Sequence, residues 1–169
     1  MINVICNQSG MNFIADNAFH IEESITYKKL NVHGIRSVEF IRVKNNNLLF
    51  IEAKETFPNP GSPSADNLVK FNLEVDEICE KIIHSLNLFL SMLAGVTAKE
   101  FPDSFILPAE TSLVFILVIK NHKLEWCRKV KSRLIETLPS YIQKIWKPKI
   151  FVINHITAVK RNLAINETA

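Results

Sequence analysis

The chain is poor in cysteine and in glycine, and each shortage removes a class of protein. Its three cysteines, Cys6, Cys79 and Cys127, are an odd number with no Cys-x-x-Cys among them. A disulfide framework needs pairs and a cysteine-based zinc site needs close spacing, so neither is supported and reduced thiols are the expectation. Four glycines leave no Gly-x-x-x-x-Gly-Lys and no dinucleotide fingerprint, which removes the common phosphate-cradling loops. The histidines, His20, His33, His84, His122 and His155, are scattered without metal-ligand spacing. No serine stands in a Gly-x-Ser-x-Gly elbow. Long apolar runs are missing as well: the longest, from Leu113 to Ile119, is far too short to span a bilayer. The start, Met1-Ile2-Asn3-Val4, has neither the basic residues nor the apolar stretch of a signal peptide. The expectation is a cytoplasmic protein with no membrane partner.

What is present suits one globular domain spanning 1–169. Apolar residues make up 47% and charged residues 22%, enough to build a core and too apolar for disorder. A net charge of +3 hides an asymmetry. Residues 1–119 carry 9 Lys or Arg against 14 Asp or Glu, whereas residues 120–161 carry 11 against 2. An acidic part that could hold a cation thus precedes a basic part that could hold a polyanion. Lys123, Arg128, Lys129, Lys131 and Arg133 concentrate the basic charge, with Lys144, Lys147 and Lys149 just beyond. They are the candidate nucleic-acid contacts, to the phosphate backbone and without reading sequence. A helix cannot turn all five to one face.

Local patterns order the elements. Ile2–Cys6 reads as a short strand and Asn7–Gly10 as a turn. Residues 17–30 read as a helix capped by Asn17. Ser37–Val43 and Leu48–Lys54 read as strands joined at Lys44-Asn45-Asn46-Asn47, since asparagines accept the positive φ of a tight hairpin turn. Residues 55–67 hold three prolines and a glycine and read as a loop. Val75, Ile78, Cys79, Ile82, Ile83, Leu86, Phe89, Leu90 and Leu93 fall at helical spacing over 75–94. Ser112–Lys120 reads as a central strand covered on both faces. A helix over 124–138 follows, stopped by Pro139, then a short turn over 141–146, a strand over 150–156 and a polar tail over 157–169. This order predicts an α/β fold: a small mixed sheet flanked by helices on both sides, with the hairpin at its working edge.

The hairpin carries the chemistry. A two-residue turn at Asn45-Asn46 sets Val43 against Leu48, Ile41 against Phe50 and Glu39 against Glu52. Strand alternation then places Lys54 on the face of Glu52, Phe50 and Leu48. Two carboxylates facing one another on an apolar surface repel. They require a cation between them, a divalent metal or Lys54, or else a proton.

Ser-Val-Glu39-Phe-Ile, a hairpin, and Phe-Ile-Glu52-Ala-Lys54 followed by Pro-Asn-Pro resemble the PD-(D/E)XK superfamily, the restriction-endonuclease-like nucleases, and more narrowly a small bacterial branch of it. The resemblance covers about residues 17–120 and implies an αβββαβ core within 17–156. It implies that Glu39 and Glu52 bind Mg²⁺ or Mn²⁺, with the Ala53 carbonyl completing the protein's share. Mg²⁺ keeps several waters, so two carboxylates plus substrate phosphate suffice. It also implies that Lys54 orients the attacking water, and that Glu22 or Glu23, with Glu22 preferred, is an auxiliary acid. The implied function is metal-dependent hydrolysis of nucleic-acid phosphodiester bonds, DNA being the expected substrate, with a homodimer able to cut both strands. One departure stands out: the first acid is Glu39 where the family usually has Asp, and no proline precedes it. A catalytically silent member of the same fold, binding nucleic acid or protein, is the alternative.

Overall fold

The computed structural model describes residues 5–107 and 109–166. Two sheets organise them. In the first, β3 (Ala18–Phe19), β4 (Phe40–Lys44), β5 (Asn47–Lys54), β6 (Ser112–Ile119) and β7 (Lys149–Asn154) lie side by side in that order. β3, β4 and β5 are antiparallel neighbours, while β5, β6 and β7 run parallel, so the sheet is mixed. The second sheet is short: β1 (Ile5–Gln8), β2 (Met11–Ile14) and β8 (Ala164–Ile165).

The hairpin forms as its asparagines require. Asn45 and Asn46 take φ of 49° and 57°, the pair of left-handed conformations a two-residue turn needs. Ile41 then faces Phe50 and Val43 faces Leu48. The ladder stops at Phe40 opposite Ile51, so Glu39 and Glu52 are not a ladder pair as expected. The chain leaves the sheet before Phe40, where the Val38 amide donates to Ser85 Oγ (2.8 Å) and the Arg36 amide to His84 Nδ1 (3.1 Å) on the helix above. The hairpin is also interior rather than at the edge, because β3 pairs beyond β4.

That helix, α2 (Ala65–Leu93), links β5 to β6, and α3 (Leu124–Thr137) links β6 to β7. α2 starts ten residues before its apolar stripe because Ser64 caps it, accepting from the Asn67 amide. Both helices cover one face of the large sheet, where Ile41, Leu48, Phe50, Phe115 and Leu117 pack with Val75, Ile78, Ile82 and Phe89 of α2 and Val130 and Leu134 of α3. The opposite face, with Phe40, Leu49, Ile51, Val114, Ile116 and Val118, packs on Met11 and Phe13 of the small sheet and on Ala158 of α4 (His155–Lys160).

Three expectations change. Residues 17–30 are not one helix: β3 comes first, then a 3-10 turn over Ile21–Glu23, and α1 (Ile25–Leu30) is capped by Ser24. Asn17 instead takes a left-handed φ of 53° before β3. The tail beyond 156 continues α4 and then, as β8, pairs with β2. The N-terminal strand begins its described part at Ile5 and runs to Gln8, with residues 1–4 outside the described residues, and its turn is Ser9-Gly10. Among the described residues no helix is long and apolar enough to cross a membrane.

Candidate functional site

The C-terminal end of β5 lies beneath the first half of α2, and Glu52 and Lys54 of the hairpin meet the helix there. Glu52 is 3% exposed, with Phe50 and Leu48 on its own face of β5 as strand alternation requires. Its Oε1 accepts from Lys81 Nζ of α2 at 2.7 Å, and its Oε2 is buried without a hydrogen-bond partner. Beside it lies a cavity of about 10 Å³, lined by Val38, Phe50, Ile78, Ile82 and Leu117, with room for one water. Burial pushes the Glu52 carboxyl up to about 8; Lys81 opposes that rise and the charge of Glu39 adds to it.

Glu22, on the 3-10 turn, reaches the same group. Its Oε1 is 4.0 Å from Lys81 Nζ. Burial, and then the neighbouring Glu39, push its carboxyl up to about 7, with a hydrogen bond to Glu39 working in the same direction. Glu23 is exposed, so of the two candidate auxiliary acids Glu22 is the one brought to the cluster. Glu22 and Glu52 thus both lie within 4.0 Å of the Lys81 ammonium, and Glu39 acts on each of them through its charge. The expected ladder pair of Glu39 and Glu52 is absent, yet the charge of Glu39 still opposes ionisation of Glu52, and the Lys81 ammonium on α2 acts against it. Lys81 itself loses some basicity to burial, but Glu52 and Glu22 hold its ammonium above the ordinary lysine value.

Lys54 has gone elsewhere. It points to the α2 side, as expected, yet its ammonium sits 3.0 Å from Glu77 Oε1 and 3.1 Å from Glu74 Oε2. Glu77 also meets Arg36 at 2.8 Å, and Arg36 meets Glu80 at 3.2 Å. The Ala53 carbonyl, expected as a ligand, accepts from Ser9 Oγ at 3.0 Å, so the β1–β2 turn closes that side of the strand end.

Lys81, Glu74 and Glu77 were absent from the sequence reading. The available signal was their spacing: 74, 77 and 81 lie on one flank of the apolar stripe defined by Val75, Ile78 and Ile82, where a charge must find a partner on the sheet below.

The basic residues divide. Lys123, Arg128, Lys129 and Arg133 are exposed and Lys131 is half-buried. Lys123 lies over Trp126, and Lys131 lies over Phe151 of β7, on the small-sheet side. Arg133 pairs with Glu136 at 3.3 Å. Lys129 turns the other way, its ammonium 3.6 Å from where a side chain on Gly61 of the proline loop would begin. The five do not form one face.

As a donor set the acids fit a hard divalent cation: they offer carboxylate oxygens only, one of them buried and unpartnered. Among the described residues no three His, Cys, Asp or Glu side chains stand together at metal-holding geometry, so the chain would give two carboxylates and leave the remaining positions to water. Comparison with protein-family models, with curated proteins and with solved structures finds no match for this chain.

Proposed function

We propose that the protein is a metal-dependent phosphodiesterase of restriction-endonuclease-like fold acting on nucleic acid, DNA being the expected substrate. The observation that carries this reading is the buried Glu52 with one oxygen unpartnered, in a group with Glu39 and Glu22 at the carboxyl end of a parallel strand. Supporting it is the order β3-α1-β4-β5-α2-β6, three antiparallel strands followed by a helix and a parallel strand, with the acids before β4 and late in β5; α1 stands after the first strand, where the αβββαβ order has its first helix before all three.

Glu52 and Glu39 are the residues that would hold the cation, with Glu22 beside them, and a divalent cation there supplies polarisation of a phosphate oxygen and a bound water of lowered pKa. Burial of Glu52 keeps its carboxylate fixed by the strand, so no reorganisation of that ligand accompanies the reaction. Glu22, poised between its protonated and ionised forms near neutral pH, is placed to exchange a proton with water entering the group. A lysine ammonium at the carboxylates orients the attacking water and offsets charge on the phosphate. Exposed basic residues of α3 would hold the polyanion by its backbone, and a homodimer would bring two such sites to a duplex.

The test is cleavage of labelled single- and double-stranded DNA and RNA with Mg²⁺ and with Mn²⁺, wild type beside Glu52→Gln. Cleavage by the wild type that falls at least about 100-fold in the folded variant supports the reading; equal cleavage by the variant overturns it. The catalytically silent alternative is favoured by one observation, the cover that Lys81 places on Glu52, and it is the outcome if the wild type binds nucleic acid and cuts none.

A further inference from the structure

We infer that Lys81 of α2, and not Lys54 of the Glu-x-Lys, is the working lysine of the carboxylate group: its ammonium occupies Glu52, where the divalent cation would be held, and yields it when the cation binds. The inference rests on the phosphodiesterase reading for the role of the displaced lysine, whereas the competition between ammonium and cation stands on the geometry of the group.

The two lysines differ in what surrounds them. Lys54 is balanced by two carboxylates of α2, Glu77 at 3.0 Å and Glu74 at 3.1 Å, and Glu77 is further fixed by Arg36. To reach Glu52 it must leave both. Lys81 already touches Glu52, an acid that would hold the cation, at 2.7 Å and stands 4.0 Å from Glu22 beside it. Its side chain is 14% exposed, which leaves its charge poorly screened by water and makes its competition with a second cation strong. The buried Oε2 offers an incoming ion the oxygen that no hydrogen bond uses, and an ammonium 2.7 Å from the other oxygen of the same carboxylate would repel that ion at close range.

The displaced ammonium has a destination. Glu77 lies one turn earlier on α2, at the spacing where helix side chains meet, and the charge of Lys81 already helps hold the Glu77 carboxyl below its ordinary range. Swung toward Glu77, Lys81 would remain at the rim of the acids, within reach of water or phosphate arriving there. Lys54, tied to Glu74 and Glu77, becomes a strut that fixes α2 to β5.

Calorimetric titration of Mn²⁺ into the full chain tests this, with wild type, Lys81→Met, Lys81→Gln and Lys54→Met compared at one pH and folding followed by circular dichroism. The Gln variant keeps a hydrogen bond to Glu52 without the charge and covers the case in which Met at this site does not fold. The expected result is Mn²⁺ binding at least about tenfold tighter in the folded Lys81 variants than in wild type, and within about threefold of wild type in Lys54→Met. Unchanged or weaker binding in the Lys81 variants, an equal gain in Lys54→Met, or no Mn²⁺ binding in any of them overturns the inference. In the cleavage assay the Lys81 variants should bind metal more tightly yet turn over at least about 100-fold more slowly, a split that mere loss of structure does not produce. A wild type that cleaves nothing ends the phosphodiesterase reading, and the titration still decides the place of Lys81.

Discussion

The two faces of the large sheet each bury a charge, and they treat it in opposite ways. On the small-sheet face Phe40, Leu49, Ile51, Val114, Ile116 and Val118 make an apolar layer. The charge nearby is that of Arg42, and its guanidinium is spent on structure: Nε donates to the Asp16 carbonyl and Nη1 to the Ile14 carbonyl, both at 2.9 Å. On the α2 face Glu52 sits in an equally apolar layer, but one of its oxygens is idle and its acid neighbours push against its ionisation. A buried charge that bonds two carbonyls at the end of β2 and lies 3.8 Å from the Asp16 carboxylate braces a fold. One held buried with an oxygen to spare costs stability, and that cost is retained where the oxygen has a use.

Substitutions should separate the faces by their effect on folding. Phe40→Ala removes a fully buried ring that meets Phe13 edge-on at 5.7 Å, and should lower stability by ~3–5 kcal/mol in denaturant melts. Arg42→Met should cost ~2–3 kcal/mol, because the Ile14 and Asp16 carbonyls lose a charged donor where the small sheet meets the large one. Glu52→Gln, at an even more buried position, should stay within ~1 kcal/mol of wild type at neutral pH, because burial pushes this carboxyl up to about 8 and Gln matches its protonated form in shape and charge. A large loss in Glu52→Gln would make the Glu52–Lys81 pair a brace like Arg42 and erase the distinction.

How far these faces could be read in the sequence follows from how local their signals are. The β4–β5 hairpin was legible because Asn45-Asn46 fixes the turn, and the turn fixes which residues share a face. The β6 strand and the α2 stripe were legible from runs of apolar residues at period one and at helical period. The small sheet was not: β8 has two residues, and its partner β2 lies about 150 positions earlier, so no window holds both. Asn17 looked like a helix cap because asparagine suits caps and left-handed turns alike, and here it takes the turn. At the site, alternation from Phe50 put Glu52 and Lys54 on one face, whereas Glu22 or Glu23 was suggested only by the family resemblance. Lys81, almost thirty residues on, could not, because its approach to Glu52 depends on how α2 crosses the sheet.

The pH dependence of stability sharpens the same contrast with a smaller effect. Glu52 at about 8 and Glu22 at about 7 bind protons in the folded chain at pH values where an unfolded carboxyl, near 4.5, has lost them. The folded state therefore holds more protons between about pH 5 and 8, and its stability falls as pH rises through that window. Thermal melts from pH 5 to 8.5 should show a decline on the order of 2 kcal/mol, and Glu52→Gln should remove much of it. A flat profile in the wild type would mean that Lys81 neutralises Glu52 fully, leaving no unbalanced charge on the α2 face.

The smallest expected effect concerns where nucleic acid would lie. α3 sends Lys129 toward the proline loop that follows β5 and sends Lys131 over Phe151 on the small-sheet side. If only the end carrying the acids meets the polyanion, Lys129 contacts phosphate and Lys131 does not. Lys129→Ala should weaken binding of a labelled DNA duplex by roughly threefold and reduce the slope of log affinity against log salt by about 1. Lys131→Ala should change neither, since that ammonium is committed to an aromatic ring. The salt slope is the more telling readout, because it counts released counterions and ignores modest changes in packing. Equal slopes for the two variants would place the polyanion across both flanks of α3, and the small-sheet side would then belong to the binding surface rather than to the frame that supports it.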